Sequence, residues 1–297
     1  MKRFTVLGAL IAVGALSSGI AAQPQQARPP LPDLQKVKDN LYVIISSTPG
    51  PEFTGGNTGV LVTDSGVVVV DTKLSGYGPS ILEKIKKVTD KPVTMIINTH
   101  THGDHTGSNE AFPASVDIVA HENTKANMVK MPAFAGEKSL FLPKRTYQDK
   151  MTVGSGKNQI DLYYFGPGHT NGDTWVVYRS LRVLQTGDMF AWRDAPTIDR
   201  NNGGSGIEYP KTLAKAIAGI KDVDVVIPGH SPVTSPKDLQ EYQRFIAEWV
   251  AAVQSASTAG KSSEQAAESI DLAAKYPGYK KERYKAAIDS VYAELKK

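Results

Sequence analysis

Cysteine is absent from this chain of 297 residues. No disulfide can form, so a packed core must hold the fold. No thiolate can bind a metal, so any metal site must use the harder nitrogen and oxygen ligands. A lipid-modified cysteine is excluded by the same absence. Beyond the N-terminal segment there is no apolar run of the roughly 20 residues needed to span a membrane. A large excess of one charge is also missing. The formal net charge is +4, two units of which come from Lys2 and Arg3. The stretch from Lys275 to Lys297 holds seven basic and three acidic residues, which leaves the body of the chain slightly acidic. With no basic stripe interleaved with aromatics, nucleic acid is not the expected partner, and the basic tail reads as a solvated helix face. No G-x-S-x-G elbow occurs, so nothing points to a serine nucleophile.

What is present begins with an export signature. Lys2 and Arg3 form a basic head, Phe4 to Leu16 an apolar centre, and Ser17 to Ala22 a small-residue end suited to cleavage near Ala21 or Ala22. Residues 1–22 are therefore expected to be a signal peptide. The protein should be secreted or periplasmic, with no stable membrane insertion once the signal is removed. Residues 23–33 are polar and proline-rich, an extended linker.

The chain has only six histidines, and three fall in one run, His100-Thr101-His102-Gly103-Asp104-His105. The run follows an apolar, strand-like stretch from Val93 to Asn98. Side chains alternate in an extended segment, so His100, His102 and Asp104 are expected to point one way. Gly103 would allow a sharp turn that swings His105 into the same cluster. Imidazole and carboxylate are the preferred ligands of zinc and similar divalent metals. Two further histidines, His169 and His230, sit in Gly/Pro turns after the strand candidates Ile160 to Phe165 and Val223 to Ile227. Asp188 occupies a similar position after Arg182 to Gln185. Turns at strand ends are where a rigid scaffold displays catalytic groups.

Other strands are expected at Leu41 to Ser46, Val60 to Thr63, Val67 to Val70, Val116 to Ala120 and Thr174 to Tyr178. Ser80 reads as the cap of a helix carrying Ile81, Leu82, Ile85 and Val88 at helical spacing, and a second helix covers Lys211 to Ile220. After His230, the series Leu239, Tyr242, Phe245, Ile246, Trp249, Val250 and Val253 marks one helical face. Ser255 to Ser263 reads as a hinge or loop before a final pair of helices, which should pack on the body; dimerisation through them is the lesser reading. These elements alone support a mixed α/β fold.

The ordered set H-x-H-x-D-H, Gly-His, Gly-Asp, Gly-His resembles the metallo-β-lactamase superfamily of dinuclear metal hydrolases, over roughly Leu34 to Gln254 by motif order. Gly56 to Val62 followed by Gly66 to Thr72 is similar to that family's opening hairpin. The resemblance implies a four-layer αβ/βα sandwich over residues 34–257, followed by a C-terminal helical extension, 258–297. It implies that His100, His102 and His169 hold one metal, that Asp104, His105 and His230 hold a second, and that Asp188 bridges them, as in the glyoxalase II and lactonase branches. Familiar secreted β-lactamases carry cysteine or serine at the Asp188 position, a departure that argues against a dedicated antibiotic-degrading role. The flavo-diiron branch carries glutamate where this chain has His102, which argues against redox chemistry.

The implied chemistry is hydrolysis of a small-molecule carbonyl substrate (lactone, ester or β-lactam) by a hydroxide generated on two divalent metals, with Asp104 orienting the nucleophile and passing a proton. Zinc is the default metal; iron and manganese also suit an all-N/O ligand set. A phosphodiesterase and an iron-dependent redox enzyme on the same scaffold are the alternatives. Four residues carry open readings. His121 reads as a structural or surface histidine. Asp71 either orients a ligand imidazole or starts a turn. Phe53 either tips an apolar flap over the metals or tucks into the core. Arg193 either pairs with a substrate carboxylate or is solvated.

Overall fold

The computed structural model describes residues 28–46 and 50–296. The expected signal peptide, part of the linker and three residues of the Phe53 loop lie outside the described residues.

The first sheet begins with β1 (Gln35–Lys38), β2 (Leu41–Ile44), β3 (Thr58–Val62) and β4 (Val67–Val70), antiparallel neighbours in that order. Helix α1 (Gly78–Lys86) then crosses to β5 (Val93–Ile97), which lies parallel to β4. A single helical turn, α2 (Gly103–Thr106), leads to β6 (Asp117–His121), α3 (Glu122–Met128) and β7 (Arg145–Tyr147), and these strands continue the parallel half. The second sheet contains β8 (Lys150–Val153), β9 (Ile160–Tyr163), β10 (Trp175–Tyr178) and β11 (Val183–Gln185), all antiparallel. Helix α4 (Tyr209–Gly219) crosses to β12 (Val225–Ile227), parallel to β11. The chain ends with α5 (Pro236–Thr258), α6 (Ser263–Ser269) and α7 (Tyr284–Leu295).

Period-two alternation produces the layering. In β4, Val68 and Val70 face the second sheet, in one cluster with Val176 and Tyr178. Val67 and Val69 face outward, in a cluster with Ile81 and Ile85 of α1. In β10, Trp175 and Val177 face outward against Leu213, Phe245, Trp249, Ile288 and Val291 of α4, α5 and α7. Each sheet is thus apolar on both faces, and the order is helix, sheet, sheet, helix: the expected four-layer αβ/βα sandwich. The C-terminal helices share a core with the second sheet. Removing Trp249, which is fully buried, would cost about 3–5 kcal/mol.

Three expectations are corrected. Ser80 does not cap α1. The helix starts at Gly78 with Pro79 in its first turn, a position proline favours because its missing N–H would be unpaired there anyway. The hydroxyl of distant Ser108 accepts from the N–H groups of Tyr77 (2.9 Å) and Gly78 (3.0 Å). Ser255 to Thr258 is not loop but the last turn of α5, and α6 is already under way at Ser263, where Ser262 and Gln265 form a capping box. The strands β1, β7 and β8 were not anticipated.

Candidate metal centre

The four segments carrying the expected ligands follow the C-terminal ends of β5, β9, β11 and β12. In an open α/β sheet this is the edge where ligands bind. After β5 the backbone bends over Thr99 to Thr101, is extended at His102 (φ −65°, ψ 146°) and then makes the single turn α2. Gly103 has no positive φ. The helical turn, not a left-handed glycine or strand alternation, brings Asp104 and His105 to the same place.

All seven side chains converge. His100 Nε2 and His169 Nε2 lie 3.2 and 2.9 Å from His102 Nδ1. His105 Nε2 lies 3.2 Å from His230 Nε2, and Asp104 Oδ2 lies 3.6 and 3.3 Å from these two nitrogens. Asp188 stands between the sets, with Oδ2 3.7 Å from His169 Nε2 and 3.2 Å from His230 Nε2, and Oδ1 3.3 Å from His105 Nε2. The triads His100/His102/His169, Asp104/His105/His230 and His100/His105/Asp188 could each hold a metal ion, their donor atoms lying within 4.8 Å of one another.

The outer ring nitrogens explain the aim of the inner ones. His100 Nδ1 meets Thr99 Oγ1 at 3.0 Å, His102 Nε2 meets Asp199 Oδ2 at 2.7 Å, His105 Nδ1 meets Asp71 Oδ2 at 2.7 Å and His169 Nδ1 meets the Thr197 carbonyl at 2.7 Å. Among the described residues, His230 Nδ1 has only a longer contact, 3.4 Å, to Ser46 Oγ. Its ring is instead stacked on Trp192, with centroids 4.9 Å apart, and faces Phe53 at 5.5 Å. Such outer partners fix tautomer and orientation in metal-binding histidines.

The donor set suits a divalent cation on two further counts. Among the described residues, buried Asp188 Oδ1 has no partner in hydrogen-bond geometry and only the contact to His105 Nε2 at 3.3 Å, an arrangement that a cation would complete. The backbone also closes tightly around the ligands. A Cβ on Gly56 would come 2.2 Å from His105 Cε1, and one on Gly229 would come 2.0 Å from Asp188 Oδ1.

Burial and neighbouring charges shift the members of the cluster in opposite directions. Burial, with the neighbouring His105 and His169, pushes His100 well below the usual imidazole range, and burial pushes His169 down to about 4. Both are neutral, the ligand form. Burial also acts to lower His102 and His105. The Asp199 hydrogen bond together with the charges of Asp188 and Asp104 outweighs it at His102, and the charges of Asp104, Asp188 and Asp71 together outweigh it at His105, so both are raised, His105 strongly. Burial would raise Asp188, but His230 and His105 hold it well below the carboxylate range. His102 and His105 are thus drawn toward the protonated form where carboxylates crowd, a place that favours positive charge.

The open readings resolve as follows. Asp71 orients an imidazole. His121 is buried, and its Nδ1 caps α3 by accepting from Asn123 N–H while Nε2 donates to the Gln148 carbonyl at 2.8 Å. It is structural and not at the surface. Phe53 is not in the core. It lines a cleft of about 590 Å³ beside Asp104, together with Leu74, Met131, Phe134 and Phe141. Arg193 pairs with Asp238. Sequence reasoning missed Asp199, Thr197 and Thr99. Asp199 sits in a stretch, D-R-N-N-G, that reads as a turn; Oδ1 does accept from Asn201 and Asn202 N–H, while Oδ2 turns to His102.

Among known families, the metallo-beta-lactamase superfamily matches residues 51–230. The metallo-beta-lactamase type 2 of Elizabethkingia meningoseptica is 28% identical over 229 residues, covering 73% of this chain and 85% of that protein. The metallo-beta-lactamase type 2 of Bacteroides fragilis is 22% identical over 213 residues, covering 70% and 82%. The solved structure of a metallo-beta-lactamase from Pontibacter korlensis has the same fold, with a TM-score of 0.63 at 21% identity, covering 73% of this chain and 99% of that one.

Proposed function

The chain belongs to the metallo-beta-lactamase superfamily and is thus a metal-dependent hydrolase, and from that premise we propose that it is an exported enzyme that holds two divalent metals, zinc by default, and opens a small carbonyl substrate such as a lactone, ester or β-lactam. His100, His102 and His169 hold the first metal, and Asp104, His105 and His230 the second. The observation that carries the reading is the Asp188 carboxylate. It approaches ligands of both sets, at 3.7 Å from His169 and 3.2 Å from His230, which suits a bridge.

When bound, two such metals supply Lewis acidity toward a carbonyl oxygen and acidify a water enough to give a nucleophile near neutral pH. The protein's own part is to orient, bind and move a proton. Asp104 is suited to the proton: its side chain is 21% exposed, against 7% for Asp188, and it faces the cleft. It can take a proton from the nucleophile and return it to the leaving atom. Phe53, Leu74, Met131, Phe134 and Phe141 form an apolar wall that receives an acyl or aryl arm of the substrate and keeps water from it. The Lys138–Glu110 ion pair, at 2.7 Å, closes the polar edge of the same cleft.

No helix among the described residues is long and apolar enough to cross a membrane. The export reading rests on the sequence of residues 1–22 and is tested by N-terminal sequencing of the natively produced protein, with a start near Ala22 or Gln23 expected. Activity is tested by turnover of lactones, esters, β-lactams, thioesters and phosphodiesters alongside elemental analysis. Two metals per chain with turnover of a carbonyl substrate is the expected result. Turnover of phosphodiesters alone, or one iron per chain with oxidative activity, overturns the reading in favour of the corresponding alternative.

A further inference from the structure

The family match ends at His230, yet three of the five converging histidines depend on one loop that is held by residues far beyond that point. The loop, residues 192–207, contains no regular element other than a short turn at Arg200–Asn202. It provides the Trp192 ring stacked on His230, the Thr197 carbonyl at His169 Nδ1 and the Asp199 carboxylate at His102 Nε2.

The C-terminal segment grips this loop at both ends. At the start, the Arg283 guanidinium lies 3.6 Å from the centroid of the Trp192 ring, and Lys280 N–H donates to the Arg193 carbonyl at 2.9 Å. The stack therefore runs Arg283, Trp192, His230. At the far end, the Glu294 carboxylate accepts from Gly206 N–H at 2.9 Å and from the Ser205 hydroxyl. Ile198, between Thr197 and Asp199, shares a buried cluster with Ile288 and Val291 of α7.

We infer that the C-terminal extension is a working part of the metal centre, with Arg283 the positioning residue for the second site, acting through Trp192 on His230, and Glu294 the positioning residue for the first, acting through the loop on His102 and His169. His230 is the histidine most exposed to such control, because among the described residues its outer nitrogen has no partner as close as those of the other four. Loss of an outer-shell partner typically weakens metal affinity about 10–100-fold. The inference rests on the two-metal reading above.

The test is zinc titration of metal-stripped protein against a competing chromogenic chelator, with cobalt substitution to read the ligand field of each site, and it needs no turnover. Parent protein should bind two equivalents. Arg283→Ala should weaken the second equivalent about tenfold or more and leave the first within about twofold, with Arg283→Lys intermediate because an ammonium stacks less well than a guanidinium. Glu294→Ala should show the reverse order. Circular dichroism and a melting curve establish that each variant is folded. Weakening of both equivalents in parallel in each variant means that the extension only stabilises the fold, and unchanged affinities mean that it does not act on the site; either result overturns the inference. Failure of the parent to take up two metals overturns the two-metal reading itself.

Discussion

The Asp71 carboxylate lies 2.7 Å from His105 Nδ1 and reaches it from a left-handed backbone, φ 62°. Its Oδ1 accepts from Thr99 N–H, and its Oδ2 accepts from the Thr99 hydroxyl as well as from the histidine. One buried side chain thus ties the end of β4 to the loop after β5 and sets the direction of the ring. A non-glycine residue held at this φ costs about 1–3 kcal/mol and persists only where its surroundings impose it. Asp71→Ala should therefore weaken metal binding at the second site about 10–100-fold, read by chelator competition. Unchanged affinity for both equivalents would show that His105 is held by packing alone.

Asp188 and His230 make separable predictions. A carboxylate that bridges two metals serves both, so Asp188→Ala should lower metal content at both sites and abolish hydrolysis. His230→Ala should deplete mainly the second. His121→Ala serves as a control for metal content, which should stay at the parent's level. It will not be silent in stability, since loss of the α3 cap costs about 1 kcal/mol. Elemental analysis of folded, dialysed protein decides the matter. Two metals and normal turnover in Asp188→Ala would remove the bridge.

Acid stability should depend on Asp161, on β9 and away from the metal centre. Burial acts to raise its pKa, but hydrogen bonds from Thr152, Arg179 and Gln159 outweigh it and bring the carboxyl down to about 2. The folded pKa lies below the unfolded one, so the contribution is full above the ordinary carboxylate range and is lost as the pH falls from about 4 toward 2. Allowing for the solvent that reaches Arg179, it is on the order of 1–2 kcal/mol. In urea unfolding, Asp161→Asn should be less stable than the parent by that amount at pH 7, and the two curves should converge near pH 2. A difference independent of pH would contradict the argument.

Much of this molecule is legible in its sequence because function and fold use the same signal. His100 stands out because it closely follows an apolar run, and His169, Asp188 and His230 because each follows an apolar run and a glycine turn, patterns that need no tertiary information. The layering is written in the alternation of Val67 to Val70, although only the packed structure reveals which valine faces which neighbour. Three strands escaped notice for a common reason. β1, β7 and β8 lie at sheet edges, where one side is solvated and charged residues are favoured, so Gln35-Lys36-Val37-Lys38 shows no apolar alternation. The outer partners escaped for another reason. Thr197 acts through a backbone carbonyl that any residue could supply, and Asp199 carries a turn signal that masks its second oxygen. The start of α1 is not legible locally because the hydroxyl that accepts from its first N–H groups, Ser108, comes from a distant part of the chain.

The tightest constraint on the metal centre is backbone room, and it gives the sharpest prediction. Gly56 and Gly229 approach the ligands from opposite elements, joined by the Asn57 N–H to Gly229 carbonyl hydrogen bond at 2.7 Å. A Cβ on Gly229 would sit 2.0 Å from Asp188 Oδ1, and one on Gly56 would sit 2.2 Å from His105 Cε1; neither distance is tolerable without movement. The ligands cannot yield freely. His105 is completely buried and tied to Asp71, and Asp188 is enclosed by His105, His169 and His230. Each alanine must therefore shift a different ligand. Overpacking of this kind costs about 1–3 kcal/mol of stability, so both variants should fold with a lowered melting temperature. Gly229→Ala, which displaces the carboxylate between the two sets, should weaken both metal equivalents, whereas Gly56→Ala, which displaces a ligand of one set, should weaken the second more than the first. Zinc titration of the two stripped variants beside the parent measures this. Parent-like affinity in Gly229→Ala, with Asp188 displaced as the geometry requires, would mean that Asp188 is not a ligand.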